Sequence, residues 1–440
     1  MESTAPYPGQ GVRVGPGRGG TIAVPVRVRC RSLRVLVCAF VALTARRAGA
    51  QTPSPAQPIA GFKDGFFIQT PDGDNRLVIG LVAQTDARFE LGDTLPVGST
   101  FAIRKVRPTF TGHVGRYFEF KVMPDFGNGQ PLVTDAYLDV LFTRNFRIRT
   151  GKDKVPIGHE LLQGDANLLF PERALASSLV PNRDVGIQAQ GDVWSGRLTY
   201  AAGVFNGVPD GTSSSTDTDT NGAKDVAGRV TVQPFHTTDR GAAGPLNGLG
   251  FQLGGSRGSQ AGALPSFRTS YGQVYYSYAA GAAASGTHTR VTPAVFYYNR
   301  ALGAFAEYIR SAQDVTQAGV ATDVDNHAWE VTGSYVLTGE EASDHGVRPR
   351  HNFDPSAGQW GAVQVLARYT ALTVDRAAFT DGLAAPGASR VARSWTLGVN
   401  WYPNPWIKWY ATVERTTFEG ETAVLRPDEN VVFLRFQLGF

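Results

Sequence analysis

The sequence predicts an all-β fold: a 16-stranded antiparallel transmembrane β-barrel with a long third outward loop folded into the pore. Three observations predict it. Apolar segments alternate with period two almost throughout, their connections alternate between tight and long, and the chain closes on a strand that ends in an aromatic residue, Phe440. Period two sends successive side chains to opposite faces of a strand. No run of about 18 apolar residues is present, so no helix is expected to cross a bilayer.

The first fifty residues read as a leader. The 440-residue chain has 42 Lys+Arg and 38 Asp+Glu, net +4, but residues 1–50 contain eight of the arginines and a single acid, Glu2. Residues 51–440 are therefore net −3, and both cysteines, Cys30 and Cys38, also fall in the leader. An Arg cluster, the apolar run Val35–Ala45 and the Ala48-Gly49-Ala50 triplet form a secretory signal with cleavage expected after Ala50. The 26 residues before that signal exceed any n-region, and the expected start lies near Val26 or Val28. The remaining chain lacks a cysteine nucleophile, a thiolate metal site and the basic surplus of a nucleic-acid binder. Residues 51–75 are expected as a periplasmic linker and 76–440 as the barrel.

Sixteen strands are expected at 76–90, 100–114, 116–125, 132–142, 145–152, 184–194, 196–206, 225–236, 247–257, 288–299, 302–312, 327–338, 360–372, 391–402, 406–416 and 430–440. In the first, Leu77, Ile79, Leu81, Ala83 and Phe89 alternate with Gln84, Asp86 and Arg88; in the last, Val432, Leu434, Phe436, Leu438 and Phe440 alternate with Arg435 and Gln437. All but the eight-residue 145–152 reach the roughly 9–11 residues with which a tilted strand crosses the hydrocarbon, and an even total returns both termini to the periplasm. Tight inner turns are expected at Gly115, Thr143-Arg144, Ser195, Asn299–Ala301 and Pro403–Pro405. Long outward connections are expected at 153–183, 207–224, 258–287, 313–326, 373–390 and 417–429, with long inner exceptions near 237–246 and 339–359. Trp329, Trp360, Trp395, Trp401, Trp406 and Trp409 stand near the expected strand ends and suit an interfacial girdle.

Sixteen strands enclose more volume than side chains fill, which implies a water channel. The connection 153–183 is the expected constriction: it is long, and Leu161, Leu162, Leu168, Leu169, Phe170, Leu175 and Leu179 suit it to pack on an inner wall. Residues 101–184 contain twelve basic and nine acidic side chains. Alternation points Lys105, Arg107, Lys121, Arg147 and Arg149 at the lumen, and Lys152, Lys154, Arg173 and Arg183 belong to the loop or its edges. Facing cations in a narrow channel favour anions. The competing reading pairs these cations with Glu119, Asp125, Asp135, Asp139, Glu160 and Glu172 as salt bridges of the wall.

From Gly61 to Phe440 the chain resembles the phosphate-selective porins O and P. The resemblance lies in Gly61-Phe62 leading into Asp72-Gly73-Asp74, Phe101–Lys105, Gly151-Lys152 through Gly158-His159-Glu160, and Phe170-Pro171-Glu172-Arg173. It continues in Arg183–Gly186, Gly203–Gly207, Gly228-Arg229-Val230, Ser334–Glu340, Ala367-Arg368-Tyr369 and Asn400–Pro405. It implies an outer-membrane barrel that passes small anions, phosphate among them, usually as a homotrimer among outer-membrane lipids. It also implies that the barrel-assembly machinery reads Phe440. Arg173 matches the loop arginine, Asp125 the acid after the third strand, and Arg104-Lys105 the paired arginines of the second strand. Strict alternation admits only one of that pair to the lumen. Where phosphate-selective members are expected to have lysine and small hydroxyl residues, this chain has Leu161, Gly164 and Asp165, which should weaken a phosphate site.

No enzyme, cofactor or metal centre is expected. The seven histidines are scattered, and the sequence has neither a P-loop nor a histidine pair at i, i+4. The alternatives are a general diffusion channel of weak selectivity, an outer-membrane barrel enzyme, or a barrel plugged by its loops.

Overall fold

The computed structural model describes residues 57–92, 98–129, 131–214, 221–239, 244–421 and 426–440. The leader, its cleavage site and part of the acidic loop 207–224 lie outside these residues. In chain order the strands are β1 Ile59–Phe62, β2 Phe66–Gln69, β3 Asn75–Glu90, β4 Thr100–Val114, β5 Phe118–Asp125, β6 Leu132–Thr143, β7 Phe146–Lys154, β8 Arg183–Val193, β9 Leu198–Phe205 and β10 Asp225–Val232. They continue as β11 Leu249–Gly262, β12 Phe267–Arg268, β13 Val274–Tyr276, β14 Ala283–Asn299, β15 Leu302–Gln317, β16 Val320–Val336, β17 Ala362–Thr373, β18 Ser389–Asn404, β19 Ile407–Gly420 and β20 Glu429–Gly439. Sixteen of them, β3–β11 and β14–β20, pair antiparallel with their chain neighbours, and β20 closes the barrel on β3 through Val431↔Glu90 to Gly439↔Val82.

The barrel reverses the usual distribution of polarity. Its outer face exposes Phe251, Leu253, Val295, Tyr308, Val331, Leu397, Val413 and Leu434, while Gln252, Arg290, Glu307, Glu330, Arg368, Asn400, Glu414 and Arg435 are buried on the inner face. Such a wall is stable only with hydrocarbon outside it. Among the described residues no helix is long and apolar enough to cross a membrane, so strands make the crossing.

Several expectations are corrected. The outward connection expected at 313–326 is almost all strand: β15 and β16 pair down to Gln317↔Val320, leaving a two-residue turn. Ala318 and Gly319 both take positive φ there, 49° and 84°, as the hairpin twist requires. Because β16 starts at Val320, Trp329 lies in mid-strand beside Tyr369, which in turn packs on Trp395, while Trp360, Trp401, Trp406 and Trp409 mark the inner rim. The expected linker 51–75 folds in part. The hairpin β1–β2 pairs with the inner end of β3, and Phe62 and Phe66 pack edge-on against Phe440 at 5.7 and 5.8 Å. The long inner connection between β16 and β17 packs Ala342 and Val347 against Val336, Ala362 and Tyr402.

The connection 155–182 turns into the lumen and is tied to the far wall. Asn400 Nδ2 donates to the Leu169 carbonyl at 2.9 Å, Lys408 Nζ to that of Leu168 at 2.6 Å, and Gln437 Nε2 to that of Ala166 at 2.9 Å. A second insertion has no counterpart in the sequence reading. The connection after β11 carries the hairpin β12–β13, and its Phe267, Tyr275 and Tyr276 join Leu161, Leu175, Leu179, Ile309, Val324 and Leu372 in an apolar core inside the barrel. The lumen beside β14–β18 is thereby filled, and open space is displaced toward β3–β10.

Candidate functional site

The basic wall begins with a β-bulge. Gln84 pairs with Lys105, but Thr85 pairs with Ile103, so Arg104 is an extra residue in β4 and two consecutive side chains enter the lumen. Gly127 packs against this bulge; a Cβ there would lie 2.5 Å from the Arg104 carbonyl oxygen. The bulge removes the conflict between strict alternation and an Arg104-Lys105 pair. Arg104 meets Glu172 at 2.7 Å, and Lys105 meets Asp165 at 3.0 Å.

Asp165, at the crest of the loop, gathers three cations. Its Oδ1 faces Lys105 Nζ and accepts from Arg173 Nη1 at 2.8 Å, and its Oδ2 accepts from Arg107 Nη1. Arg107 also donates from Nε to Asp125 at 2.6 Å. Further along the wall, Lys121 and Arg183 flank Asp135 at 2.8 and 2.5 Å. Arg149 is bidentate to Asp139, both bonds 2.7 Å, reaches Asp153, and lies over the Tyr137 ring at 3.6 Å. Lys154 donates to the carbonyls of Leu161 and Gln163 at 2.7 and 2.6 Å, and so fixes the start of the loop. Arg147, the most exposed of the set, is 3.6 Å from Glu119 and 3.7 Å from Asp139. Lys152 departs from the expectation: it alternates onto the face of Ile148 and Thr150, pairs in register with Ala136 and Val185, and donates to the Ser214 carbonyl at 2.7 Å.

Ten of the eleven expected residues therefore meet in the lumen, and most are ion-paired with acids of the wall or loop. Such pairs hold the guanidinium groups in fixed directions. The loop is held in turn by buried groups. The Glu307 carboxylate accepts from the backbone N–H of His159 and Glu160 at 2.6 and 3.2 Å; Glu160 accepts from Ala174 N, Ser177 Oγ and Arg368. Glu172 is partly buried, yet Arg104 and Arg435 hold its carboxyl well below the ordinary 4.5.

Two of the cavities beside the loop border its basic surroundings. One, of about 410 Å³, lies between Leu162–Ala166 and the wall from β4 to β10, and includes Arg107, Lys121, Arg149, Lys154, Arg183 and Arg229 against Asp135, Asp153 and Asp165. The other, of about 380 Å³, has Arg88, Arg104, Arg173 and Arg268 against Glu172. Both linings hold a surplus of cations. Arg88, Arg229, Arg268 and Arg435 were not anticipated as site residues. Arg88 and Arg435 were visible only as the polar members of alternating strands, and Arg268 sits on the unexpected hairpin.

The family model for phosphate-selective porin O and P matches residues 79–440. A sequence search among curated proteins gives no match. Among solved structures, the anion-selective porin from Comamonas acidovorans matches with a TM-score of 0.54 at 12% identity over 83% of this chain and 100% of its own. The outer membrane channel DcaP of Acinetobacter baumannii matches with 0.54 at 11% over 87% and 100%. OmpT of Vibrio cholerae, an outer membrane protein in its trimer form, matches with 0.52 at 14% over 83% and 99%. These likenesses carry the barrel architecture.

Proposed function

Because the chain belongs to the phosphate-selective porin O and P family, we propose that it is an outer-membrane porin whose water-filled channel passes small anions between the central loop and the β3–β10 wall. The observation that carries this reading is the surplus of cationic over anionic side chains in the two cavities around Asp165 and Glu172. In a confined, low-dielectric passage that surplus raises the local concentration of anions and repels cations. The ion pairs keep the cations pointed inward without cancelling the surplus.

The reading assigns the protein transport and no catalysis. Export through a leader cleaved after Ala50, recognition of Phe440 by the barrel-assembly machinery and a homotrimeric state belong to the same proposal; the trimer form of the Vibrio cholerae neighbour supports the last. Purified protein in planar bilayers tests the function. Stable conductance steps with a reversal potential on the anion side in a potassium chloride gradient are expected. Cation preference, or intact barrels without conductance, would overturn it. Migration of unheated against heated protein on a detergent gel tests the trimer.

A further inference from the structure

Three cations converge on one carboxylate where the loop meets the basic wall, and that carboxylate belongs to the chain itself. Lys105, Arg107 and Arg173 approach Asp165 from β4 and from the loop, and Asp165 is only 9% exposed. Several N–H donors around one point is how proteins bind an oxyanion carrying more than one charge. Here the acceptor is built in, so an external oxyanion would have to displace a tethered carboxylate held by three cations.

One guanidinium in the same cavity is differently placed. Among the described residues, Arg229 on β10 lines it without a carboxylate partner, and its buried Nε has no hydrogen-bond partner. Its neighbours across the sheet are Ala201 on β9 and Gly254 on β11, neither of which can screen it. Beside Asp165 the loop also gives this cavity apolar side chains, Pro156 and Leu162, and Met123 adds to them from the wall. A volume of about 410 Å³ is that of a small-molecule site.

We propose that Asp165 acts as an internal counter-anion which pre-empts multivalent oxyanions, so that the eyelet selects singly charged organic anions with an apolar body, the charge on Arg229 and the body against Pro156 and Leu162. A carboxylate accepts two parallel N–H bonds from one guanidinium. A second charge on the ligand would meet no uncommitted cation at the Asp165 cluster. This inference rests on the anion-channel reading and refines it.

The test uses the full-length trimer or monomer as purified, in planar bilayers, with chloride current as the baseline and inorganic phosphate or benzoate added as blocker. Wild type is expected to be blocked by benzoate and to resist phosphate. Asp165→Ser is expected to lower the half-blocking phosphate concentration by about tenfold or more, since a charge-assisted hydrogen bond contributes roughly 1.5–3 kcal/mol. Arg229→Gln is expected to raise the half-blocking benzoate concentration by about tenfold on the same basis. Should Asp165→Ser fail to fold, Asp165→Asn keeps the shape, removes the charge and decides the point. Phosphate block of wild type equal to that of the Asp165 variant, or benzoate block untouched by Arg229→Gln, would overturn the inference while leaving anion conductance intact. A cation-selective reversal potential in every variant would instead sink the channel reading beneath it.

Discussion

Replacing Arg368 by Met should release the central loop from the wall. Arg368, on β17, is 2% exposed; its Nη1 donates to Glu160 Oε1 at 3.2 Å and to the Glu172 carbonyl at 3.0 Å, and its guanidinium covers the Phe170 ring at 4.3 Å. Glu414 lies 3.5 Å from its other terminal nitrogen. Methionine fills a similar volume but leaves Glu160 and Glu414 buried without their cation, beside Glu330, whose two buried oxygens have no hydrogen-bond partner among the described residues. Removing one member of a buried pair typically costs about 3–5 kcal/mol, or about two to three and a half decades in the equilibrium between docked and released loop. The loop should then leave the lumen for part of the time, and single channels should show a larger, noisier conductance. Glu160→Gln added to Arg368→Met removes one stranded charge and should recover part of the loss, with a coupling of about 0.5–3 kcal/mol between the two sites. Denaturant unfolding of detergent-solubilised protein and single-channel recording read both quantities. An Arg368→Met pore with wild-type conductance, noise and unfolding midpoint would refute the claim that this residue anchors the loop.

Three further outcomes are expected. Arg173→Ala removes a cation from the cavity around Glu172 and one brace of Asp165, so the reversal potential in a potassium chloride gradient should move toward zero; an unchanged value would confine Arg173 to packing. The Glu172 carboxyl is held well below its ordinary 4.5 by Arg104 and Arg435, which outweigh its burial. Its stabilising pairing is therefore complete above pH 4.5 and is lost only as pH falls through the lower native value. Channel noise should stay flat from neutral pH to about 4.5 and rise below it, whereas Glu172→Gln should be noisy at neutral pH. Phe62→Ala removes edge-on contacts with Phe440, Phe66 and Trp406. At roughly 0.5–1.5 kcal/mol per aromatic pair it should lower the unfolding midpoint measurably, and an unchanged midpoint would show that the hairpin does not clasp the C-terminus.

The barrel was legible because its wall obeys a single rule. A strand with lipid on one side and water on the other must alternate, and every long strand of the wall does so. What escaped the sequence are the places where that rule is locally suspended. The Arg104 bulge shifts the parity of β4, and nothing in Phe101–Lys105 marks the extra residue. Gly151 takes a positive φ of 122° just before Lys152-Asp153-Lys154, where Asp153 and Lys154 both line the cavity and Lys152 does not. Ile309, Val324 and Leu372 face inward although apolar because Tyr275 and Tyr276 cover them, a contact the sequence reading did not anticipate. Turns, bulges and inserted loops depend on tertiary contacts that periodicity does not encode.

The surplus of cations sets the sign of the permeating ion, but counting them along the wall is a poor guide to which anion the pore accepts. Arg107, Lys121, Arg149 and Arg183 each face an aspartate within ion-pairing distance, so each contributes direction more than net charge. Selectivity is left to the differences: a carboxylate at Asp165 that satisfies three cations, and a guanidinium at Arg229 that no carboxylate among the described residues satisfies. One loop residue can thus change the class of anion that fits while the wall stays as it is. A pore built this way can shift its substrate by substitution at the loop crest, without disturbing the hydrogen-bonded barrel on which its stability depends.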